Sequence, residues 1–175
     1  PDPAANRNVK NILVEHCVLW NAEPGNAVEI GYEVRCDEIS DITFRDLDIV
    51  HCEYEGNQSG GVLTIHNADR AHIHDIVYED IRVEDAQEKY SLDRKRGSVE
   101  NIYFRNVEIL NGNFPVSIIR GFEMHTEMSR PRNIYFDNVV VLGKQVESPS
   151  DLHMVVELSD DILFNGTAHA KRNPF

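Results

Sequence analysis

The chain has 175 residues, 41% of them hydrophobic, which is ample for one domain with a substantial core. A formal net charge of −13 excludes a nucleic-acid or anionic-membrane surface as the leading function, because phosphate binding needs a basic face. No apolar run approaches the roughly 18–20 residues that cross a bilayer, and neither a transmembrane segment nor a signal peptide is visible.

Taken in chain order, one ten-residue phrase recurs. It reads NILVEHCVLW from Asn11, DITFRDLDIV from Asp41, DIVYEDIRVE from Asp75, NIYFRNVEIL from Asn101, NIYFDNVVVL from Asn133 and a degraded DILFNGTAHA from Asp161. Successive starts are 30, 34, 26, 32 and 28 residues apart, so a fixed phrase alternates with a variable spacer, the signature of a repeat architecture. Column one is Asn or Asp, column two is Ile, and column four is Val14 and then an aromatic residue in every later copy. Columns seven and nine are apolar in the first five copies, from Cys17 and Leu19 to Val139 and Val141. Apolar positions at two and four, then at seven and nine, describe two short period-2 strands separated at column six. That column holds His, Asp, Asp, Asn, Asn and Gly, mostly residue types that tolerate a left-handed backbone, and so predicts a sharp bend at one repeated place.

Most spacers carry a further alternating run: NAVEIGYE at 26–33, GVLTIHNA at 61–68, FPVSIIRGF at 114–122 and LHMVVELS at 152–159. Three short strands per repeat without a helical stretch predict an all-β, right-handed parallel β-helix of about six coils in a single domain. In the third coil AQEKYSLDRKRG, at 86–97, offers only Tyr90 and Leu92 and is expected to be a solvated loop. The first repeat starts at once, with no capping element, so the chain is expected to be the C-terminal part of a larger β-helix. An open coil end would expose apolar surface and favour end-to-end self-association.

Cys17 falls in core column seven and reads as a buried free thiol. Cys36 and Cys52 lie near strand ends of neighbouring coils and could approach one another, but no CxxC spacing supports a metal site. The N-x-S/T triplets at Asn57 and Asn165 carry little weight. No metal or cofactor is expected.

Outward residues of a stacked sheet are the usual binding surface of a solenoid. With Val28/Ile30, Leu63/Ile65 and Val116/Ile118 taken as core positions, Glu29, Gly31, Glu33, Thr64, His66, Ser117 and Arg120 face out. Glu29 and Glu33 read equally as solvated carboxylates or substrate contacts. His66 stands in the run IHNADRAHIH with Asp69 and Arg70, where a histidine can carry a proton, bond a sugar hydroxyl or be structural. His72 and His74 are expected to be turn residues. Trp20, the single tryptophan, is either a sugar-stacking platform or packed under a loop.

The order NVKNILVEHCVLWNAEPGNAVEIGYE, followed about 35 residues later by GGVLTIHNAD, resembles the later coils of glycoside hydrolase family 28, the polygalacturonase-like β-helix enzymes of the pectate-lyase-like superfamily. The likeness covers roughly residues 8–110. The family's G-H-G-(L/I)-S-I-G motif corresponds to Gly25, Asn26, Ala27, Val28, Glu29, Ile30 and Gly31, with Asn26 in place of the motif histidine, and its R-I-K place holds Thr64, Ile65 and His66. The resemblance implies an extracellular or periplasmic carbohydrate-acting protein. In that family the catalytic aspartates lie in N-T-D and D-D motifs on earlier coils, which places acid and base upstream of residue 8 and leaves the catalytic residues unknown. Loss of the R-I-K cations and the negative charge both favour a neutral or weakly acidic glycan over pectin.

Glycoside hydrolysis needs two carboxyl groups roughly 5–9.5 Å apart, whereas four residues along one strand would separate Glu29 and Glu33 by roughly 13 Å. They are therefore assigned to substrate contact, with Asn26, His66, Asp69, Arg70 and Trp20. The expected function is part of a β-helical glycoside hydrolase with a carbohydrate substrate. The rivals are a non-catalytic glycan-binding or structural β-helix and a polysaccharide lyase, which would want a calcium cluster and a basic residue.

Overall fold

A computed structural model of the chain describes residues 7–22, 25–53, 61–87, 97–112, 116–124 and 127–169. Tyr90, Leu92 and Asn57 lie outside these residues. The strands of the first half are β1 (Val9–Asn21), β2 (Val28–Ile30), β3 (Glu38–Glu53), β4 (Leu63–Ile65), β5 (His72–Val83), β6 (Ala86–Gln87) and β7 (Ser98–Ile109). The second half supplies β8 (Ile118–Arg120), β9 (Phe122–Met124), β10 (Glu127–Ser129), β11 (Arg132–Val141), β12 (Lys144–Gln145), β13 (Val155–Glu157), β14 (Asp160–Phe164) and β15 (Thr167–His169). The only helical piece among the described residues is a 3-10 turn at Pro149–Leu152.

The six phrases are six parallel rungs, stacked in the order β1-β3-β5-β7-β11-β14. The chain forms the expected all-β parallel β-helix, although the rungs amount to about four complete turns and not six. Register follows the sequence columns. Ile12, Ile42, Ile76, Ile102, Ile134 and Ile162 pair in line. In column four Phe44, Tyr78, Phe104, Phe136 and Phe164 stack with centroids 5.2, 5.0, 4.8 and 4.7 Å apart and planes within 9° of parallel. Spacing near 4.8 Å between stacked strands puts each ring in van der Waals contact with the next, so identical residues on successive rungs complete one another's packing. The Tyr78 hydroxyl is fully buried without a hydrogen-bond partner among the described residues, and burial pushes its phenol well above the ordinary value.

Column six bends as expected, with φ of 55° at His16, 51° at Asp46, 53° at Asp80, 51° at Asn106 and 53° at Asn138. Column one bends too: Asn11, Asp41, Asp75, Asn101, Asn133 and Asp161 all have φ between 52° and 57°. The side-chain alternation changes phase at both places, so Ile39 and Ile73, two residues before column one, are buried along with columns two and four. A coil therefore has four straight segments and not three, because the Asn/Asp preference that marks column six as a corner also operates at column one. The corner side chains join rungs: Asn133 Nδ2 donates to Asn101 Oδ1 at 3.0 Å, Asn138 Nδ2 to Asn106 Oδ1 at 2.9 Å and Asn106 Nδ2 to Asp80 Oδ1 at 2.8 Å. Asn165 is spent in the same way, accepting from the Asn138 backbone and donating to Val146 O.

Outside the corners, column five alternates in sign: Glu15, Arg45, Glu79, Arg105 and Asp137 pair in succession. Arg45 Nε donates to Glu15 at 2.9 Å. His72 and His74 belong to strand β5 and not to a turn, and their rings lie 4.3 Å apart on the outer surface.

The remaining face is less regular. β2 pairs with β4 and β8 with β13, each in parallel, as two separate two-stranded sheets. Val28, Glu29 and Ile30 lie opposite Leu63, Thr64 and Ile65, as the alternation predicts. In the other pair the parity is opposite to expectation. Ile119, over Val156, packs against the core, so Ile118 and Arg120 take the outward phase and Ser117 shares the inward one with Ile119.

The two ends differ. β15 and β12 fold back antiparallel on β14 and β11 at the C-terminal end. β1 pairs only with β3 among the described residues and exposes Val9, Ile12, Leu13 and Val18, the apolar end surface behind the expectation of association. Cys17 is for that reason half-buried and not sealed in the core, while Cys36 and Cys52 are buried and unbridged.

Candidate functional site

The β2–β4 pair brings three of the sequence candidates into one network. Glu29 points out between the buried Val28 and Ile30. His66, just past β4 on the next coil, turns its ring back so that Nδ1 lies 2.8 Å from Glu29 Oε1. A carboxylate oxygen accepts, so Nδ1 carries the proton of that bond. Glu29 Oε2 accepts from Asn26 Nδ2 at 2.7 Å, and Asn26 Oδ1 accepts from the Gly61 backbone N–H at 2.7 Å. The Thr64 hydroxyl donates to Val28 O at 3.2 Å. Each of these bonds except Asn26–Glu29 crosses between coils.

Local backbone makes room for this arrangement. Gly31 ends β2 with φ of +150°, and a Cβ there would sit 2.5 Å from His66 O and 3.0 Å from His66 Cβ. Only glycine combines that backbone with so close an approach. His66 N–H donates to Ile30 O at 2.8 Å, the Tyr32 ring lies 5.4 Å from the imidazole, and the His66 side chain is only 6% exposed. It is a clamped, nearly buried ring with one edge on a carboxylate, and not the freely outward residue that alternation implies.

Several expectations need correction. Asp69 and Arg70 do not partner His66. Asp69 meets Arg35 at 3.5 Å, and Arg70 meets Asp37 at 2.9 Å and donates to Arg35 O, so both brace the turn after β2. Local sequence proximity favoured them, whereas the partner of His66 comes from the preceding coil, 37 residues away. Glu33 is exposed and lies beyond β2, in the turn after Gly31, so it does not share one extended strand with Glu29. Trp20 is exposed and stacks on His51, in a different cluster.

A second polar group surrounds His72 and His74, on strand β5 and not in the expected turn. His72 Nε2 meets Glu100 Oε1 at 2.7 Å, His74 Nε2 meets Glu38 Oε1 at 3.1 Å and His74 Nδ1 meets Asp75 Oδ2 at 2.6 Å. Burial pulls the His74 ring down, but hydrogen bonds and attraction from Asp75 and Glu38 outweigh it and leave the group above its ordinary value. Arg132, and after it His72, hold the Glu100 carboxyl below the usual range. Lys10 and Ser40 do the same for Glu38. These residues form an ion-paired ladder. Among the described residues no group of three or more His, Cys, Asp or Glu is placed to hold a metal ion.

No family model, curated protein or solved structure matches this chain.

Proposed function

We propose that this β-helix contributes part of the substrate cleft of a glycoside hydrolase that takes a neutral or weakly acidic glycan along the β2–β4 face. The observation that carries the reading is the Asn26–Glu29–His66 network, which joins residues of two coils at the place where the sequence resembles the G-H-G motif of glycoside hydrolase family 28 and where Thr64, Ile65 and His66 stand in the position of its R-I-K motif. A carboxylate and an amide held in place by an inter-coil network, with the nearly buried imidazole fixing the carboxylate from behind, offer pre-set acceptors and donors to sugar hydroxyls. Such pre-organised polar groups are what fix a ligand's orientation in a cleft.

A second reading, glycan binding without hydrolysis, draws on one feature: Glu29 is the only carboxylate in the six residues of β2 and β4, and hydrolysis needs two. Calorimetric titration of the protein with neutral oligosaccharides from glucan, mannan, xylan and galactan, and with oligogalacturonate, tests both. The expected result is binding of a neutral oligosaccharide, weakened about tenfold or more by Glu29→Gln, since loss of one charged hydrogen-bond partner costs roughly 1.5–3 kcal/mol. Hydrolysis of the bound oligosaccharide, followed through the anomer released, separates the enzyme from the binding module. Binding restricted to oligogalacturonate, or unaltered by Glu29→Gln, would overturn the assignment of the face.

A further inference from the structure

The interior of the coil holds a cavity of about 320 Å³ whose wall includes β4 and β8. Among the described residues β4 pairs only with β2, and β8 only with β13, so no strand joins these two, whereas on the long face β5 continues the stack between β3 and β7. The wall is mostly apolar, with Leu63 and Ile65 from β4, Ile102 and Val107 from β7 and Ile119 from β8. A volume of this size falls in the range of small-molecule pockets.

Two polar atoms interrupt the apolar wall, and both are held in place. Of the five stacked rings of column four only Tyr78 carries a hydroxyl, and it belongs to β5, the rung at which the other face is interrupted. Phe44 and Phe104 stack on its two sides, with centroids at 5.2 and 5.0 Å, and so set the direction of the hydroxyl. Asn67, also on the wall and 1% exposed, is fixed through Nδ2, which donates to Ala71 O at 2.6 Å and to Ser98 O at 3.2 Å. Tyr78 Oη and Asn67 Oδ1 are nevertheless buried with no hydrogen-bond partner among the described residues. A donor and an acceptor left unpaired in an apolar interior are costly, and a phenylalanine at 78, as on the neighbouring rungs, would avoid half of that cost. The other ionisable side chains on the wall, His66 and Arg120, are each paired with a carboxylate, Glu29 and Glu157.

We propose that this cavity is a binding site for a neutral, largely apolar small molecule bearing a hydroxyl group, which accepts a hydrogen bond from Tyr78. The apolar body of the ligand lies on the aliphatic wall, and Asn67 Oδ1 is an acceptor for a ligand hydrogen. The site is separate from the outer β2–β4 face and does not depend on the glycan reading: a sugar would bring many hydroxyls into a wall that offers few partners.

The test uses 2-naphthol as probe, with naphthalene as the analogue lacking the hydroxyl and 2-naphthoate as the charged one. Fluorescence titration of the protein is expected to show saturable binding of 2-naphthol, weaker binding of naphthalene and none of 2-naphthoate. Tyr78→Phe keeps the ring stack and removes only the hydroxyl, so it should weaken 2-naphthol binding about three- to tenfold, the scale of one neutral hydrogen bond, and leave naphthalene unchanged. The same variant should melt no lower than the parent, since it deletes an unpaired buried group. Val99→Phe, which places a ring on the cavity wall, should abolish binding of both probes. Absence of saturable 2-naphthol binding would overturn the proposal and leave the two polar atoms to buried water or to the chain itself. Binding that Tyr78→Phe weakens equally for both probes, or not at all, would overturn the role of the hydroxyl, and binding that survives in a folded Val99→Phe would place the probe outside the cavity and overturn the site.

Discussion

The long face and the β2–β4 face are built by the same rule and use it differently. On the long face like stacks on like: isoleucine on isoleucine, ring on ring, amide on amide, with opposite charges alternating in column five. Each rung completes the packing or the hydrogen bonds of its neighbour, and little is left over for a ligand. On the β2–β4 face the outward pair is Glu29 opposite Thr64, two residues that do not satisfy one another. Glu29 turns instead to Asn26 and His66. In a solenoid, function is to be sought where a column changes chemistry from rung to rung, and stability where it does not.

The sharpest way to break the long face is through its aromatic column. Phe136 is buried between Phe104 and Phe164, and Phe136→Ala should destabilise the protein by about 3–5 kcal/mol in urea unfolding, the usual cost of emptying a packed aromatic site. A smaller loss is expected at a corner. Asp80 has φ of 53° and bonds Asn106, so Asp80→Val, which puts a β-branched residue in the left-handed region, should cost about 1–2 kcal/mol, with Asp80→Gly losing less. Equal losses from Val and Gly would show that the hydrogen bond and not the backbone sets the corner.

The smallest expected effect is the pH response of the ion-paired ladder. Glu100 and Glu38 are held below the ordinary carboxylate range, so their contribution is present above about pH 4.5 and is lost as pH falls through their folded values. His74 is held above its ordinary value, so its contribution is full below about pH 6.5 and is lost as pH rises through the folded value. Thermal unfolding followed from pH 3 to pH 9 should show highest stability between these limits. His74→Asn should flatten the alkaline limb most, with a smaller change on the acid limb through its contact with Glu38; an unchanged alkaline limb in that variant would assign it to other groups.

The sequence columns foretell the long face well because each side chain there is decided by its own rung position. The corner at Asn11 and its counterparts is equally legible, since the column never departs from Asn or Asp, the residue types that tolerate a left-handed backbone. The parity of 116–120 was not legible: Ile118 and Ile119 are adjacent and equally apolar, so alternation has no sign there, and pairing with Val156 decides it. The partners of His66 and His51 were hidden for a different reason. Glu29 and Asp85 lie 37 and 34 residues away, one coil apart, whereas local spacing points to Asp69 and Arg70. Reading down the columns, as the alternating Glu15, Arg45, Glu79, Arg105 and Asp137 invite, is the procedure that recovers contacts of this kind.

The division of labour between the two faces can be mapped by hydrogen–deuterium exchange with and without a saturating neutral oligosaccharide. Added protection is expected at 26–33 and 61–70, with no change at 39–49 and 73–83. Protection centred on the long face, with 26–33 and 61–67 unaltered, would contradict the account.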